Sequence, residues 1–96
     1  MKEIEDWRRQ IDAIDAKLLR LLARRARVAA EIAACKKVAG LALRSTDRER
    51  QIVARACGAN ADPLDRPAIE RLFRRIILES RRAAARSRTP APRRKR

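Results

Sequence analysis

An apolar residue recurs at alternating steps of four and three from Ile4 through Trp7, Ile11, Ile14, Leu18 and Leu21, and again through Val28, Ile32 and Cys35. That spacing marks a long amphipathic helix with a coiled-coil-like seam. A second stripe, Leu19, Leu22, Ala26, Ala29 and Ala33, widens the face to be buried, and neither Gly nor Pro occurs before Gly40. The pattern predicts a helix from about Glu3 to about Val38, roughly 50 Å long at 1.5 Å per residue.

Gly40 ends this helix, and a short loop, Leu41 to Ser45, leads to a second helix from about Thr46 to Cys57. Its start has two readings: Ser45 as N-cap, or Thr46 as N-cap with Glu49 closing a capping box. Gly58 stops it, and Ala59-Asn60-Ala61-Asp62-Pro63 connects to a third helix with Asp65 as N-cap and Pro67 in the first turn. The third helix carries Ile69, Leu72, Phe73, Ile76 and Ile77 on one face, continuing through Ser80 to Ala83 and Ala84. The expectation is an all-α chain of three helices, one long, one short and one medium, forming a single domain over residues 1–87. Residues 88–96, a basic stretch containing two prolines, have nothing to bury and are expected to be disordered.

Helices so unequal raise a packing problem, because the second and third cannot cover a first helix of such length. A lone chain leaves apolar seam in water. An intertwined homodimer, with the long helices of two chains packed together, is the simplest solution.

Composition narrows the chemistry. The 96 residues contain no His, one Trp, one Phe and two Cys, so His/Cys metal cages, Cys-His nucleophiles and histidine acid/base catalysis all lack their parts. Cys35 and Cys57 match no metal or redox spacing and are read as packing residues. No apolar run has the length of a membrane span, and Met1 to Trp7 is charged rather than signal-like, so a cytoplasmic protein with reduced thiols is expected. The net charge of +14 suggests nucleic acid, yet eight of the 26 basic residues follow Ser80, where there is no acid. With no stacking aromatics and no evident recognition helix, contact with nucleic acid is expected to be limited to nonspecific attraction by that basic end.

Several polar residues interrupt the apolar pattern. Arg25 occupies the gap in the seam of the first helix, where an apolar residue belongs, and its guanidinium needs an anion or must bend out to solvent. Lys36, eleven residues on, falls within roughly 20° of the same face and about 16 Å along the axis. The two converge on one small anion, or else Arg25 pairs with a structural carboxylate and Lys36 snorkels. Arg8 lies roughly 25 Å before Arg25 and about 100° round the helix, so the two meet only across an antiparallel dimer. Arg48 and Glu49 sit in the first turn of the second helix, where the dipole favours only the acid. Ser80 is a polar break in an apolar stripe, a common setting for a back-bonded serine.

Taken with Ile11-Asp12-Ala13-Ile14-Asp15-Ala16-Lys17-Leu18-Leu19, Leu21-Leu22-Ala23-Arg24-Arg25, Asp47-Arg48-Glu49-Arg50 and Arg71-Leu72-Phe73-Arg74-Arg75-Ile76-Ile77, this series resembles the AroQ-type, all-helical chorismate mutases from about Trp7 to Ala84. The resemblance implies an intertwined homodimer with two identical sites and an isomerase that converts chorismate to prephenate in phenylalanine and tyrosine biosynthesis, without metal or cofactor. Arg25, with Arg8 from the partner subunit, would hold the two carboxylates, and Arg48 would support that charge. Lys36 would reach a carboxylate and the ether oxygen. Glu49 and the backbone near Ser45 would bind the ring hydroxyl, and Ser80 would touch a carboxylate. The chain departs from the family pattern at Ser45, where an acid is usual, and at Ala84, where a Gln or Glu usually donates to the ether oxygen. Arg81, about 60° round the helix from Ala84, is near enough to substitute by swinging in, or an activating partner enzyme of aromatic biosynthesis would reshape that end. Alternative readings are a mutase or lyase acting on 4-amino-4-deoxychorismate or isochorismate, and a non-enzymatic helical nucleic-acid binder.

Overall fold

A computed structural model describes residues 1–86, so the basic stretch 88–96 and the expected domain boundary at residue 87 lie outside the described residues. Three helices account for the described fold: α1 (Lys2–Ala39), α2 (Thr46–Gly58) and α3 (Arg66–Arg86). Each begins and ends within about two residues of the expected position.

The turn signals act as the sequence suggests. Gly40 adopts φ 72°, the left-handed conformation that L side chains rarely accept. The Leu41 N–H reaches the Lys36 carbonyl at 2.8 Å and the Gly40 N–H reaches the Lys37 carbonyl at 3.3 Å. These two bonds form a Schellman motif and satisfy the last carbonyls of α1. At the start of α2 the Ser45 hydroxyl accepts from the Arg48 N–H at 3.2 Å, which makes Ser45 the N-cap. The capping box between Thr46 and Glu49 does not form, because Glu49 is drawn elsewhere. Asp65 caps α3, its Oδ1 accepting from the Ala68 N–H at 2.9 Å.

α3 packs against both α1 and α2 and lies between them. The buried apolar residues are Val53 on α2 and Ile69 and Ile77 on α3, a very small core for a chain of this length. On α1 the half-buried positions include Leu22, Ala26, Ala29 and Ala33, the second stripe, whose alanines let α3 approach closely. The main seam stays open: Trp7, Ile11, Ile14 and Leu21 are 60%, 56%, 60% and 61% exposed, and α1 has no buried residue. Cys35 on the same seam is exposed, whereas Cys57 is half-buried beside α3, so the packing role holds for Cys57 within one chain. The described chain measures 56 × 27 × 25 Å with a radius of gyration of 16.9 Å, against about 13 Å for a compact domain of this length. α1 thus has two apolar faces, one spent on α3 and one left exposed.

Candidate active site

The C-terminal half of α1, the loop before α2, the first turns of α2 and the last turns of α3 enclose an open cleft of about 870 Å³. Its floor and walls are apolar, with Val28, Ala29, Ile32 and Ala33 from α1, Ile52 from α2 and Ile77 from α3. Its charge is strongly one-sided. Arg25, Lys36, Lys37, Arg44, Arg48 and Arg81 line it against a single carboxylate, Glu49.

Arg25 is half-buried, and its Nη1 donates to Ser80 Oγ at 2.9 Å. Ser80 is the buried polar residue of α3, and this bond is what satisfies it. No carboxylate lies within 4.0 Å of Arg25 among the described residues, so within this part of the chain no structural acid pairs with it. Lys36 Nζ donates to the Leu43 carbonyl at 3.3 Å across the reversal that Gly40 makes. Arg48 makes one long contact, Nη1 to Gln51 Oε1 at 3.5 Å. A guanidinium and an ammonium sharing a partly enclosed apolar cleft without a compensating anion cost desolvation energy that an anionic ligand offsets.

Glu49 has two guanidinium partners. Arg44 approaches from the loop, with Nη2 to Oε1 at 3.2 Å and Nε to Oε2 at 3.3 Å. Arg81 approaches from α3, with Nη1 to Oε2 at 2.9 Å. Of the residues singled out from sequence, Arg25, Lys36, Ser45, Arg48, Glu49, Ser80 and Ala84 all line this one cleft. Arg8 does not: it sits near the other end of α1, 68% exposed and paired with Glu5 at 3.4 Å. Ser45 spends its hydroxyl on the cap, and Ala84 contributes only a methyl. Arg44 and Lys37 were not foreseen as lining residues. For Arg44 the signal was its place directly before the N-cap, which points it along the first turn of α2 towards Glu49.

Residues 7–84 match the chorismate mutase type II family, most of the chain and all three helices. The chain belongs to this family. A bifunctional chorismate mutase/prephenate dehydratase of Aquifex aeolicus is 33% identical over 81 residues, which span 80% of this chain and 22% of that protein. The bifunctional enzyme of the same description from Escherichia coli is 40% identical over 74 residues, 76% of this chain and 19% of that protein. The chain therefore spans only about a fifth of the length of these curated relatives. Among solved structures, chorismate mutase form II from Thermus thermophilus superposes with a TM-score of 0.85 at 28% identity, covering 88% of this chain and 97% of the other. Form I of the same enzyme gives 0.79 at 29% identity, covering 81% and 98%. The chorismate mutase fold is thus the fold of this chain. Among the described residues no helix is long and apolar enough to cross a membrane, and no cluster of three or more His, Cys, Asp or Glu side chains is assembled.

Proposed function

We propose that the chain catalyses the rearrangement of chorismate to prephenate as a homodimer. The observation that carries this reading is Arg25, a half-buried guanidinium without a carboxylate partner among the described residues, lining a cationic cleft in a chain of this family. A dicarboxylate substrate supplies the negative charge that Glu49 alone does not provide for six cationic side chains.

The reaction is unimolecular and pericyclic. One C–O bond breaks as one C–C bond forms, the atoms of product and substrate are the same, and no proton, electron or nucleophile is exchanged with the protein. Rate enhancement then comes from two sources: holding the compact conformer in which the two carbon ends meet, and placing positive charge beside the ether oxygen as it becomes electron-rich. In this reading Arg25 binds a carboxylate with Ser80 fixing its orientation, and Arg48 adds charge at the mouth. Lys36 donates to a carboxylate and the ether oxygen. Glu49 accepts a hydrogen bond from the ring hydroxyl, which the backbone near Ser45 also contacts. Arg8 reaches the second carboxylate from the partner subunit. The open seam of α1 supports the dimer, since a second long helix would bury Trp7, Ile11, Ile14 and Leu21. A cytoplasmic location and a partner domain or enzyme of aromatic biosynthesis fit the bifunctional relatives.

The test is chorismate consumption with prephenate detection by the purified protein, beside an Arg25→Ala variant of matched fold. Turnover that collapses in the variant is the expected result. A folded parent that leaves chorismate untouched but converts isochorismate or 4-amino-4-deoxychorismate would replace this substrate assignment.

A further inference from the structure

The wall that α3 gives to the cleft consists of Ile77, Ser80, Arg81, Ala84 and Ala85. Ser80 already serves Arg25, and Ile77, Ala84 and Ala85 have no side-chain donor. Arg81 is therefore the one long polar side chain that α3 presents to the cleft. A guanidinium carries five N–H donors, and Arg81 spends only Nη1 on a protein acceptor among the described residues, the Oε2 of Glu49 at 2.9 Å. Glu49 in turn keeps a second guanidinium, Arg44, so its charge remains compensated whatever the other donors of Arg81 do. The Arg81 side chain lines the cleft and is 34% exposed, so its remaining donors are not sealed in the core.

We infer that Arg81 is a catalytic residue of this chain, which stays tethered to Glu49 through one nitrogen and donates from another to the ether oxygen as the C–O bond breaks. This rests on the proposed mutase activity. Lys36 comes from α1 and Arg81 from α3, so the two cations would flank the developing charge from opposite walls. A guanidinium anchored on a carboxylate is already oriented, so little reorganisation is needed when charge appears on the oxygen. The one residue three positions on, along the same face, that could share the task is Ala84, and it carries no donor.

The experiment is a four-way comparison of kcat and KM on chorismate for the parent, Arg81→Ala, Ala84→Gln and the double variant, with Arg81→Lys as a charge-conserving control. Thermal melting and sedimentation confirm that each is a folded protein of parental assembly. Arg81→Ala is expected to lower kcat by about 10²-fold or more, the usual effect of losing one preorganised donor, with a smaller change in KM. Arg81→Lys should retain part of the rate. Ala84→Gln, which puts a neutral donor one turn along the same wall, should raise kcat by about tenfold in the Arg81→Ala background and by a clearly smaller factor in the parent, a non-additive pair. An Arg81→Ala variant that raises KM at unchanged kcat would show that Arg81 merely attracts the dianion, and would overturn the inference. So would a melting temperature that falls while kcat stays at the parental value, or a gain from Ala84→Gln that is equal in both backgrounds. A folded parent with no turnover overturns the mutase reading itself and this inference with it; a turning-over parent matched by Arg81→Ala overturns only the inference.

Discussion

Arg25 and Ser80, 55 residues apart in sequence, are joined by a 2.9 Å hydrogen bond from a half-buried guanidinium to a buried hydroxyl. The bond fixes the direction of a cation without neutralising it. A serine can orient a guanidinium and leave its charge available, whereas a carboxylate in that place would have consumed it. The same contact also ties the middle of α1 to the distal half of α3, so the helix packing and the charged end of the cleft are set by one interaction.

Replacement of Arg25 by Met should therefore separate stability from activity. Met fills similar length with no charge to desolvate, which offsets part of the cost of leaving the buried Ser80 hydroxyl without its Arg25 partner, so unfolding free energy should fall by no more than about 2 kcal/mol. Mutase kcat/KM should fall by about 10²-fold or more. Denaturant unfolding beside steady-state kinetics checks both halves, and a variant that loses far more stability than this, with activity falling only as the folded fraction falls, would make Arg25 a structural residue.

The helices and their stops were legible because each signal is local. The four-three spacing from Ile4 to Cys35, Gly40 at the left-handed turn and Asp65 at the α3 cap involve neighbours a turn or less apart. Two things were not legible for the same physical reason. Both the isoleucine-rich seam and the alanine-rich stripe of α1 are apolar, so periodicity could not tell which one α3 covers; the close approach that alanines allow decides it. Likewise Arg81 and Glu49 are 32 residues apart, and their meeting depends on how α3 lies against α2. Sequence offered Glu49 a capping-box role and a place in the first turn favoured by the dipole, and nothing local pointed to its arginine partners. The Ser45 cap and the two arginines settle its role, since Glu49 cannot both reach back to the N-cap and point into the cleft. The Arg25, Lys36, Arg48, Glu49 and Ser80 set was readable only as polar breaks in apolar stripes, and the fold brings it to one cleft.

Gly40 offers a test of the turn alone. A Cβ added there would meet nothing within 4 Å, so Gly40→Ala introduces backbone strain at φ 72° without a clash. The expected cost is about 1 kcal/mol, read as a lower denaturation midpoint at unchanged denaturant slope. Because the Schellman turn also sets where Leu43 meets Lys36, a moderate loss of kcat should accompany it; a stability loss with wholly parental kinetics would show that the loop re-forms without this geometry.

The excess of cations in the cleft predicts salt dependence. Six cationic side chains against one carboxylate attract a dianion over a distance that shrinks with ionic strength. Between about 0.01 M and 0.15 M salt the Debye length falls from about 30 to about 8 Å, so KM should rise by roughly threefold or more. The kcat, set by contacts inside the cleft, should move by less than about twofold. A kcat that falls in step with rising KM would mean that salt disturbs the fold or the ion pairs of Glu49 instead.

The sharpest prediction concerns Arg8, which lies far from Arg25 in its own chain. If each site takes Arg25 from one chain and Arg8 from the partner subunit, Arg8→Ala and Arg25→Ala homodimers are both without an intact site. In a heterodimer of the two variants, however, the chain that keeps Arg25 faces the partner that keeps Arg8. One of its two sites is intact and the other lacks both arginines. Random exchange makes about half of the dimers mixed, so the recovered activity should be about one quarter of the parental value at equal total protein. Mixing the two inactive proteins under conditions that exchange subunits, then assaying prephenate formation, measures that fraction. An Arg8→Ala protein that is fully active alone, or a mixture that stays inactive after exchange is demonstrated, would show that Arg8 plays no part across the seam.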